Sequence, residues 1–218
     1  MKKTYQGKKL FLCSSFADVA GLLNIFEKNL KGKIVTFIPT ASKVEKINFY
    51  VKDAKKELEK AGMIIDTLDI SQAEKSEIVK KIKNNDFIYV SGGNTFYLLQ
   101  EMKKTGADEI IVEEVNNGKL YIGESAGAMI VSENIKYSGL MDDGTEYISE
   151  LKNLNSLNLV DFYTVPHYGC FPFEESAEKI MNTYSSLNLV PITNNQAILV
   201  DEDRIDVLEI KKQKLFSK

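Results

Sequence analysis

Short apolar runs rich in β-branched and aromatic residues recur along this chain, and they constrain its fold more than any other feature. They predict β-strands at residues 9–14, 33–39, 63–69, 87–91, 119–123, 161–166, 197–201 and 205–210. Most are almost continuously hydrophobic, which is typical of strands buried on both faces of a mainly parallel sheet. The last two are joined by a three-residue polar turn, "EDR", and predict an antiparallel hairpin.

Amphipathic segments separate the early strands and predict helices over residues 17–32, 43–62 and 94–106. The third begins with Asn94, which suits a helix N-cap, and all three end in a glycine suited to a C-cap. Strands that alternate with helices indicate an α/β fold with helices on both faces of the sheet. In such folds, binding and catalytic sites form at the carboxyl ends of the strands.

The length and charge of the chain limit the number of domains and the kinds of partner that can be expected. The 218 residues suit one α/β domain, which we assign to residues 1–210, followed by a frayed tail at 211–218. A net charge of -3, with lysines scattered among acidic residues, argues against nucleic-acid or membrane-surface partners. Two cysteines without metal-ligand spacing, and no apolar run long enough to cross a membrane, predict a reduced cytoplasmic protein.

The stretch "LYIGESAGAMI" contains a G-x-S-x-G motif between a predicted strand and a predicted helix. In a nucleophile elbow, small neighbours allow the tight turn that presents a serine, here Ser125. The next backbone N–H, that of Ala126, would then face an oxyanion. The alternative is that the small residues serve only to pack a helix closely on the sheet.

Residues that could act together with this serine follow two other predicted strands. "YVSGGNTFYLL" places Gly92 and Gly93 directly after a strand, where their backbone N–H groups can face a ligand, or can simply form a tight turn capped by Asn94. His167 is the only histidine of the chain and also follows a strand. A serine, backbone donors and an imidazole base at three strand ends predict a Ser-His hydrolase.

Five stretches occur in the order typical of one family and span nearly the whole chain. They are "FIPTAS" (37–42), "SGGNTFYLL" (91–99), "GESAGA" (123–128), "PHYG" (166–169) and "ITNNQAILV" (192–200). On these motifs the chain resembles the peptidase E (aspartyl dipeptidase) family, which includes cyanophycinase. The resemblance implies a flavodoxin-like three-layer α/β/α sandwich, mostly parallel and related to class I glutamine amidotransferases.

The resemblance also implies a function and a set of site residues. The family hydrolyses short peptides with an acidic N-terminal residue by a serine mechanism. Carried over by motif, Ser125 is the nucleophile, His167 the base, and the backbones of Gly93 and Ala126 the oxyanion donors. Neither a metal nor an organic cofactor is implied, and the protein is expected to act as a monomer or homodimer on a short peptide or another small amide.

The chain departs from the family's triad at its third member. Where the family has a glutamate, alignment of "QAILV" gives Asn194, or Asn195 if the register slips by one. An amide oxygen can hold the histidine tautomer but supplies no negative charge, so a slow enzyme is expected unless another acid serves. Glu124 lies inside the elbow, but its adjacency to Ser125 should point it away from the serine.

A second departure concerns specificity. The family carries an arginine a dozen or so residues after the histidine, and here Lys179 is the only cation in that stretch, beside Glu174, Glu175 and Glu178. This change predicts a preference for small or uncharged N-terminal residues. Gly92, Asn94 and Asp142 are candidate substrate-binding residues. An acid such as Asp142 or its neighbour Asp143 can hold the substrate ammonium, and the alternative is that the two acids lie in a solvated turn.

Other function classes fit less well. An α/β-hydrolase places its histidine last and usually far downstream, whereas His167 follows Ser125 by only 42 residues and precedes the candidate orienting residue. A class I amidotransferase needs cysteine at the elbow. Cys170, three residues after His167, is better explained as a packing or surface residue than as a nucleophile. The alternative outside the enzymes is a binding protein that has lost turnover. The residue that would indicate this loss is Asn194, in place of the family's glutamate.

Overall fold

The computed structural model describes residues 7–210, so the predicted tail at 211–218 lies outside the described residues. The strands are β1 (Lys9–Cys13), β2 (Ile34–Ile38), β3 (Ile64–Thr67), β4 (Phe87–Val90), β5 (Leu120–Glu124), β6 (Tyr163–Val165), β7 (Leu189–Pro191), β8 (Gln196–Asp201) and β9 (Arg204–Glu209). All eight predicted strands are present. Only β7 has no predicted counterpart.

The helices lie mainly between the strands of the first half of the chain. They are α1 (Phe16–Phe26), α2 (Phe49–Lys60), α3 (Lys75–Asn84), α4 (Thr95–Thr105), α5 (Ala107–Asn116), α6 (Ala126–Met129), α7 (Thr145–Ile148) and α8 (Glu174–Thr183). Short 3₁₀ turns occupy Thr40–Val44 and Lys136–Leu140. Within residues 7–210, no helix has the length and apolar composition that crossing a membrane requires.

Seven strands form the main sheet in the order β3-β2-β4-β5-β1-β8-β9. The five strands from β3 to β1 run parallel, whereas β8 pairs antiparallel with β1, and β9 pairs antiparallel with β8. The predicted hairpin is therefore confirmed. The fold is a three-layer α/β/α sandwich with a mostly parallel sheet.

Strand alternation divides the core between the two faces of this sheet. Leu10 and Leu12 of β1 face a cluster built with α3, α4 and α5, whereas Phe11 and Cys13 face a cluster built with α1 and α2. Burial of apolar side chains on both faces explains why the central strands read as continuous hydrophobic runs.

The structure corrects the prediction at 161–166. We expected this run to end at the same sheet edge as the elbow, but β6 pairs with β7 in a separate two-stranded parallel sheet. This small sheet packs with α8 through a third cluster, which includes Val165, Ala177 and Ile180. The residue after β6 therefore approaches the main sheet from a second layer.

Helix boundaries also differ from prediction. The segment 17–32 is helical only to Phe26, and Gly32 instead forms a left-handed turn before β2, with φ of 78°. The segment 43–62 begins with a 3₁₀ turn and becomes α-helical only after Asn48. The start of α4 is confirmed, since the Asn94 side-chain oxygen accepts from the backbone N–H groups of Phe96 and Tyr97.

Candidate active site

Three loops meet at the carboxyl edge of the main sheet. Cys13 at the end of β1 lies opposite Glu124 at the end of β5, and Val90 at the end of β4 lies opposite Gly123. The loops that follow these strands are therefore neighbours, as expected for parallel strands that end at one level. They bring Ser14, Gly92 and Ser125 to one place.

The elbow is a strained turn held by close backbone contacts. Ser125 has φ of 48° and ψ of -106°, a conformation that non-glycine residues seldom adopt. A Cβ on Gly123 would lie 2.4 Å from the Gly127 carbonyl oxygen, and one on Gly127 would lie 2.2 Å from that of Val90. The glycines therefore fit both interpretations of the motif, a nucleophile elbow and close packing of a helix on the sheet. The close packing is what allows the turn to present the serine.

The helix after the elbow is a single turn, Ala126–Met129. Its dipole is correspondingly small, so the field expected from a long helix N-terminus is reduced to the nearest peptide groups. The Ser125 carbonyl accepts from the N–H groups of Ala128 and Met129. The Ala126 N–H has no acceptor among the described residues, and it remains the donor next to the nucleophile.

His167 completes a hydrogen-bonded chain with Ser125 and Asn194. The His167 Nε2 atom lies 3.0 Å from Ser125 Oγ, and Nδ1 lies 2.7 Å from Asn194 Oδ1. In the catalytically useful tautomer, Nδ1–H donates to the amide oxygen and Nε2 accepts from the serine hydroxyl. His167 also has positive φ, 59°, which aims its ring from the end of β6 towards the elbow.

Burial sets the protonation state of this imidazole. His167 is packed against the ring of Phe173, with 4.8 Å between ring centroids. Desolvation lowers the pKa of His167 below its ordinary value, and the hydrogen bond that His167 donates to the Asn194 amide oxygen opposes this shift only in part. The ring is therefore neutral at neutral pH, the form that can take a proton from Ser125.

The Gly92–Gly93 turn faces the elbow from the neighbouring loop. A Cβ on Gly92 would lie 3.2 Å from Ser125 Cβ, and one on Gly93 would lie 2.2 Å from the Ala41 carbonyl oxygen. Gly93 has φ of 132°, so glycine is required here by both conformation and space. Its N–H has no acceptor among the described residues.

The remaining candidate residues support the same loop. Asn94 is nearly buried, and its amide nitrogen donates to the Asp143 carbonyl at 2.8 Å while its oxygen caps α4. Asp142 accepts from both the backbone N–H and the hydroxyl of Thr95. Burial raises the pKa of Asp142 to about 6, so the carboxylate is mainly ionised at neutral pH. Roles for Asn94, Asp142 and Gly92 in substrate binding stay predictions.

Cys170 lies beside the triad without facing its reacting atoms. Its thiol donates to the Tyr168 carbonyl at 3.4 Å, and its sulfur accepts from the Asn194 backbone N–H at 3.4 Å. These contacts link the loop after His167 to the loop that carries Asn194. They fit a supporting residue better than a nucleophile.

Sequence reasoning missed Ser14, which joins the two sheets. Its side-chain oxygen accepts from the His167 N–H at 2.9 Å and donates to the Ile192 carbonyl at 3.1 Å. Both partners lie more than 150 residues away along the chain, so no local pattern marks this serine. Its position just after a strand that ends beside the elbow is the only available signal.

We expect Ser14→Ala to lower turnover about tenfold and to destabilise the fold by about 1–2 kcal/mol, because buried backbone groups lose their partner and the histidine loosens. Steady-state kinetics and denaturant unfolding measure the two effects. Ser156→Ala is a matched control, since its hydroxyl donates to the Ser132 carbonyl at 2.7 Å away from the triad. Equal turnover in both variants would contradict the proposed link.

The model of Peptidase family S51 matches residues 10–208. An uncharacterized peptidase of Listeria monocytogenes is 54% identical over 194 residues, which cover 88% of this chain and 94% of that protein. Another, from Pasteurella multocida, is 54% identical over 197 residues, which cover 90% of this chain and 95% of that protein.

A more distant relative in sequence and two solved structures are also described as peptidases. Peptidase E of Shewanella sp. strain ANA-3 is 39% identical over 109 residues, or 50% of this chain and 44% of that protein. A crystal structure of a Listeria monocytogenes EGD-e protein described as peptidase E matches with a TM-score of 0.90 and 51% identity, covering 94% of this chain and 99% of that one. A peptidase from an acI-B1 actinobacterium, with a TM-score of 0.69 and 22% identity over 94% of this chain and 90% of that one, shares the fold.

Proposed function

The chain belongs to Peptidase family S51, and from that premise we propose that it is a serine-type exopeptidase of short peptides. One observation carries the proposal, the hydrogen-bonded chain from Ser125 Oγ through the His167 ring to Asn194 Oδ1, at 3.0 and 2.7 Å. Nucleophile, base and orienting group stand in the order that acyl transfer by serine requires.

The first half of the reaction forms an acyl-enzyme. Ser125 Oγ attacks the carbonyl carbon of the scissile peptide bond while its proton moves to His167 Nε2. The carbonyl oxygen becomes an oxyanion that accepts from the N–H groups of Gly93 and Ala126. His167 then donates the proton to the leaving nitrogen, the C–N bond breaks, and the amine product departs.

The second half regenerates the enzyme. A water molecule gives a proton to His167 Nε2 as its oxygen attacks the ester carbon. The second tetrahedral intermediate collapses, the proton returns to Ser125 Oγ, and the carboxylic acid product leaves. Asn194 holds the ring through both halves, but it stabilises the imidazolium only by its amide dipole, so proton transfer is slower than with a carboxylate.

Acidic groups near the Gly92–Gly93 turn favour a substrate with a free amino end. Asp142 accepts from the backbone N–H of Thr95, the first residue of α4, and Glu45 contributes negative charge near it. An ammonium group is attracted to these carboxylates, whereas a substrate side-chain carboxylate is repelled. We therefore propose a preference for small or uncharged N-terminal residues over aspartate.

A dipeptide panel tests the function. Ala-Xaa, Asp-Xaa and N-acetyl-Ala-Xaa are incubated with the wild-type protein, with and without prior labelling by a serine-reactive fluorophosphonate. We expect hydrolysis of Ala-Xaa, little of the acetylated peptide, and loss of activity in proportion to labelling. Strong preference for Asp-Xaa would refute the proposed specificity, and hydrolysis that survives complete labelling would refute the serine mechanism.

A second candidate function rests on Asn194. A protein that retains the pocket but lacks a charged third residue would bind a small amide or peptide without turning it over. Absence of both fluorophosphonate labelling and hydrolysis, together with saturable binding of a dipeptide by calorimetry, would favour this alternative.

A further inference from the structure

Tyr50, the second residue of α2, carries a buried hydroxyl without a hydrogen-bond partner. Its oxygen is shielded from solvent, and no donor or acceptor among the described residues meets it. Two other side-chain hydroxyls within residues 7–210 share this property, but they belong to Ser132 and Thr164, which have no exposed surface. An unpaired buried hydroxyl costs free energy, because it gives up water and gains no bond in return. Its retention calls for a partner from outside the chain.

A neighbouring buried acid shows the usual arrangement. Glu124, the last residue of β5, accepts from the Phe16 N–H at 2.8 Å and from the Tyr89 hydroxyl at 2.7 Å. The hydroxyl of Tyr89 and the carboxylate of Glu124 therefore satisfy each other inside the protein. The Tyr50 hydroxyl has no such bond, although it too belongs to a loop-end residue close to the elbow.

The hydroxyl end of the Tyr50 ring lies beside the nucleophile. A Cβ on Gly92 would lie 3.5 Å from Tyr50 Cε2 and 3.2 Å from Ser125 Cβ, so the ring and the serine border the same small space. Cε2 is bonded to the carbon that carries the hydroxyl. The polar end of the ring, rather than its attachment to the backbone, therefore approaches the elbow.

The charges around Tyr50 favour a cationic partner. Burial, followed by the negative charges of Glu45, Glu124 and Asp142, raises the pKa of the Tyr50 hydroxyl, so this group stays protonated and neutral. A neutral tyrosine hydroxyl can accept as well as donate. In a peptide cleaved after its first residue, one carbon atom separates the amino group from the scissile carbonyl. A group beside Ser125 is therefore within reach of that amino group.

We propose that Tyr50 is a substrate-binding residue whose hydroxyl oxygen accepts a hydrogen bond from the free amino group of the peptide. The inference rests on the proposed function, in which Ser125 attacks the carbonyl next to that group. Because the oxygen is shielded in the free protein, the ring turns towards the elbow as the substrate enters. Tyr50 belongs to none of the three apolar clusters of the described residues and follows an exposed segment, residues 43–49, so this turn breaks no core packing.

The unpaired hydroxyl makes stability and binding respond in opposite directions to one substitution. Tyr50→Phe removes the oxygen and keeps the ring, so the free protein should melt about 2–4 °C higher, because a desolvated group without a partner is lost. Tyr137→Phe is the matched control. Its hydroxyl is also buried but donates to the Thr164 carbonyl at 2.9 Å, so its removal should lower the melting temperature.

Substrate binding is measured by calorimetry in the Ser125→Ala background, where no turnover interferes. Ala-Xaa is compared with propionyl-Xaa, which lacks only the amino group. Adding Tyr50→Phe should weaken the binding of Ala-Xaa about 10- to 100-fold, as expected for a lost bond to a charged donor, and should change that of propionyl-Xaa by less than about twofold. Adding Tyr137→Phe should change neither.

Equal weakening of both ligands would show that the hydroxyl contacts the carbonyl oxygen instead of the amino group, and this result would overturn the inference. Unchanged binding of Ala-Xaa, absence of its binding, or a melting temperature lowered as in Tyr137→Phe would overturn it as well. Failure of the proposed function is distinct from these outcomes. A wild type that hydrolyses no peptide, but whose preference for Ala-Xaa over propionyl-Xaa depends on Tyr50, would overturn the peptidase activity alone.

Discussion

Ser125→Ala is expected to lower the turnover of short peptides by at least about 10⁴-fold and to abolish fluorophosphonate labelling. The variant removes the hydroxyl that is hydrogen-bonded to the His167 ring, whereas His167, Asn194 and the proposed oxyanion donors remain. Loss of one member of such a unit removes most of the rate, because the remaining members have no nucleophile to act on. Substrate binding should persist, because the substitution deletes a single oxygen.

Single-turnover kinetics on the preferred dipeptide measure this loss, and calorimetry measures the retained binding. Ser186→Ala, at an exposed position after α8, is the matched control and should be as active as the wild type. Residual hydrolysis within about tenfold of the wild type would show that another group, such as the Cys170 thiol, carries the reaction.

Asn194→Asp is expected to raise turnover by about 10- to 100-fold. Replacing a triad aspartate by its amide reduces turnover by about 10⁴-fold in a serine protease, and the present change runs in the opposite direction. The substitution preserves length, so a carboxylate oxygen can take the position now held by Oδ1, 2.7 Å from His167 Nδ1. A charge at this distance stabilises the imidazolium that forms in the transition state.

The pH profile separates this mechanism from a general effect of charge. A carboxylate raises the pKa of His167, which burial now holds low, so the acid limb of kcat/KM should move to higher pH. Asn195→Asp adds the same charge one residue away and should leave both rate and limb unchanged. Equal effects of the two substitutions, or no effect of either, would show that Asn194 does not orient the base.

Much of the fold could be predicted because burial leaves a direct trace in the sequence. The central strands are buried on both faces, and each therefore appears as an uninterrupted apolar run. The β7 strand was missed because it is short, only half-buried and ends in Pro191. The partner of β6 could not be predicted, because a run of apolar residues indicates burial but not the strand beside it.

Some residues of the candidate site could be predicted from the sequence, and others could not. Ser125, Gly93 and His167 follow predicted strands, so turn chemistry and chain order were enough to bring them together. Asn194 could be found only by aligning the strand that follows it, and this alignment left Asn195 as a second candidate. The structure decides between them, because the Asn194 side chain contacts the His167 ring. Ser14 and Glu124 are hydrogen-bonded to residues 153 and 108 positions away, and contacts between such distant residues leave no pattern in the sequence.

The division of the site between two sheets has a consequence for how the molecule acquires activity. Ser125 stands on the main sheet, and His167 follows β6 of the small sheet, which is attached through contacts such as those of Ser14. Asn194 lies in the connection that leads from β7 back to β8 of the main sheet. Strands β1 to β5 are complete in the chain before residue 125 is reached, so their pairing does not need the later layer. The secondary structure of the main sheet can therefore form before the protein becomes active. During refolding, the recovery of hydrolysis should report the docking of the small sheet of β6 and β7.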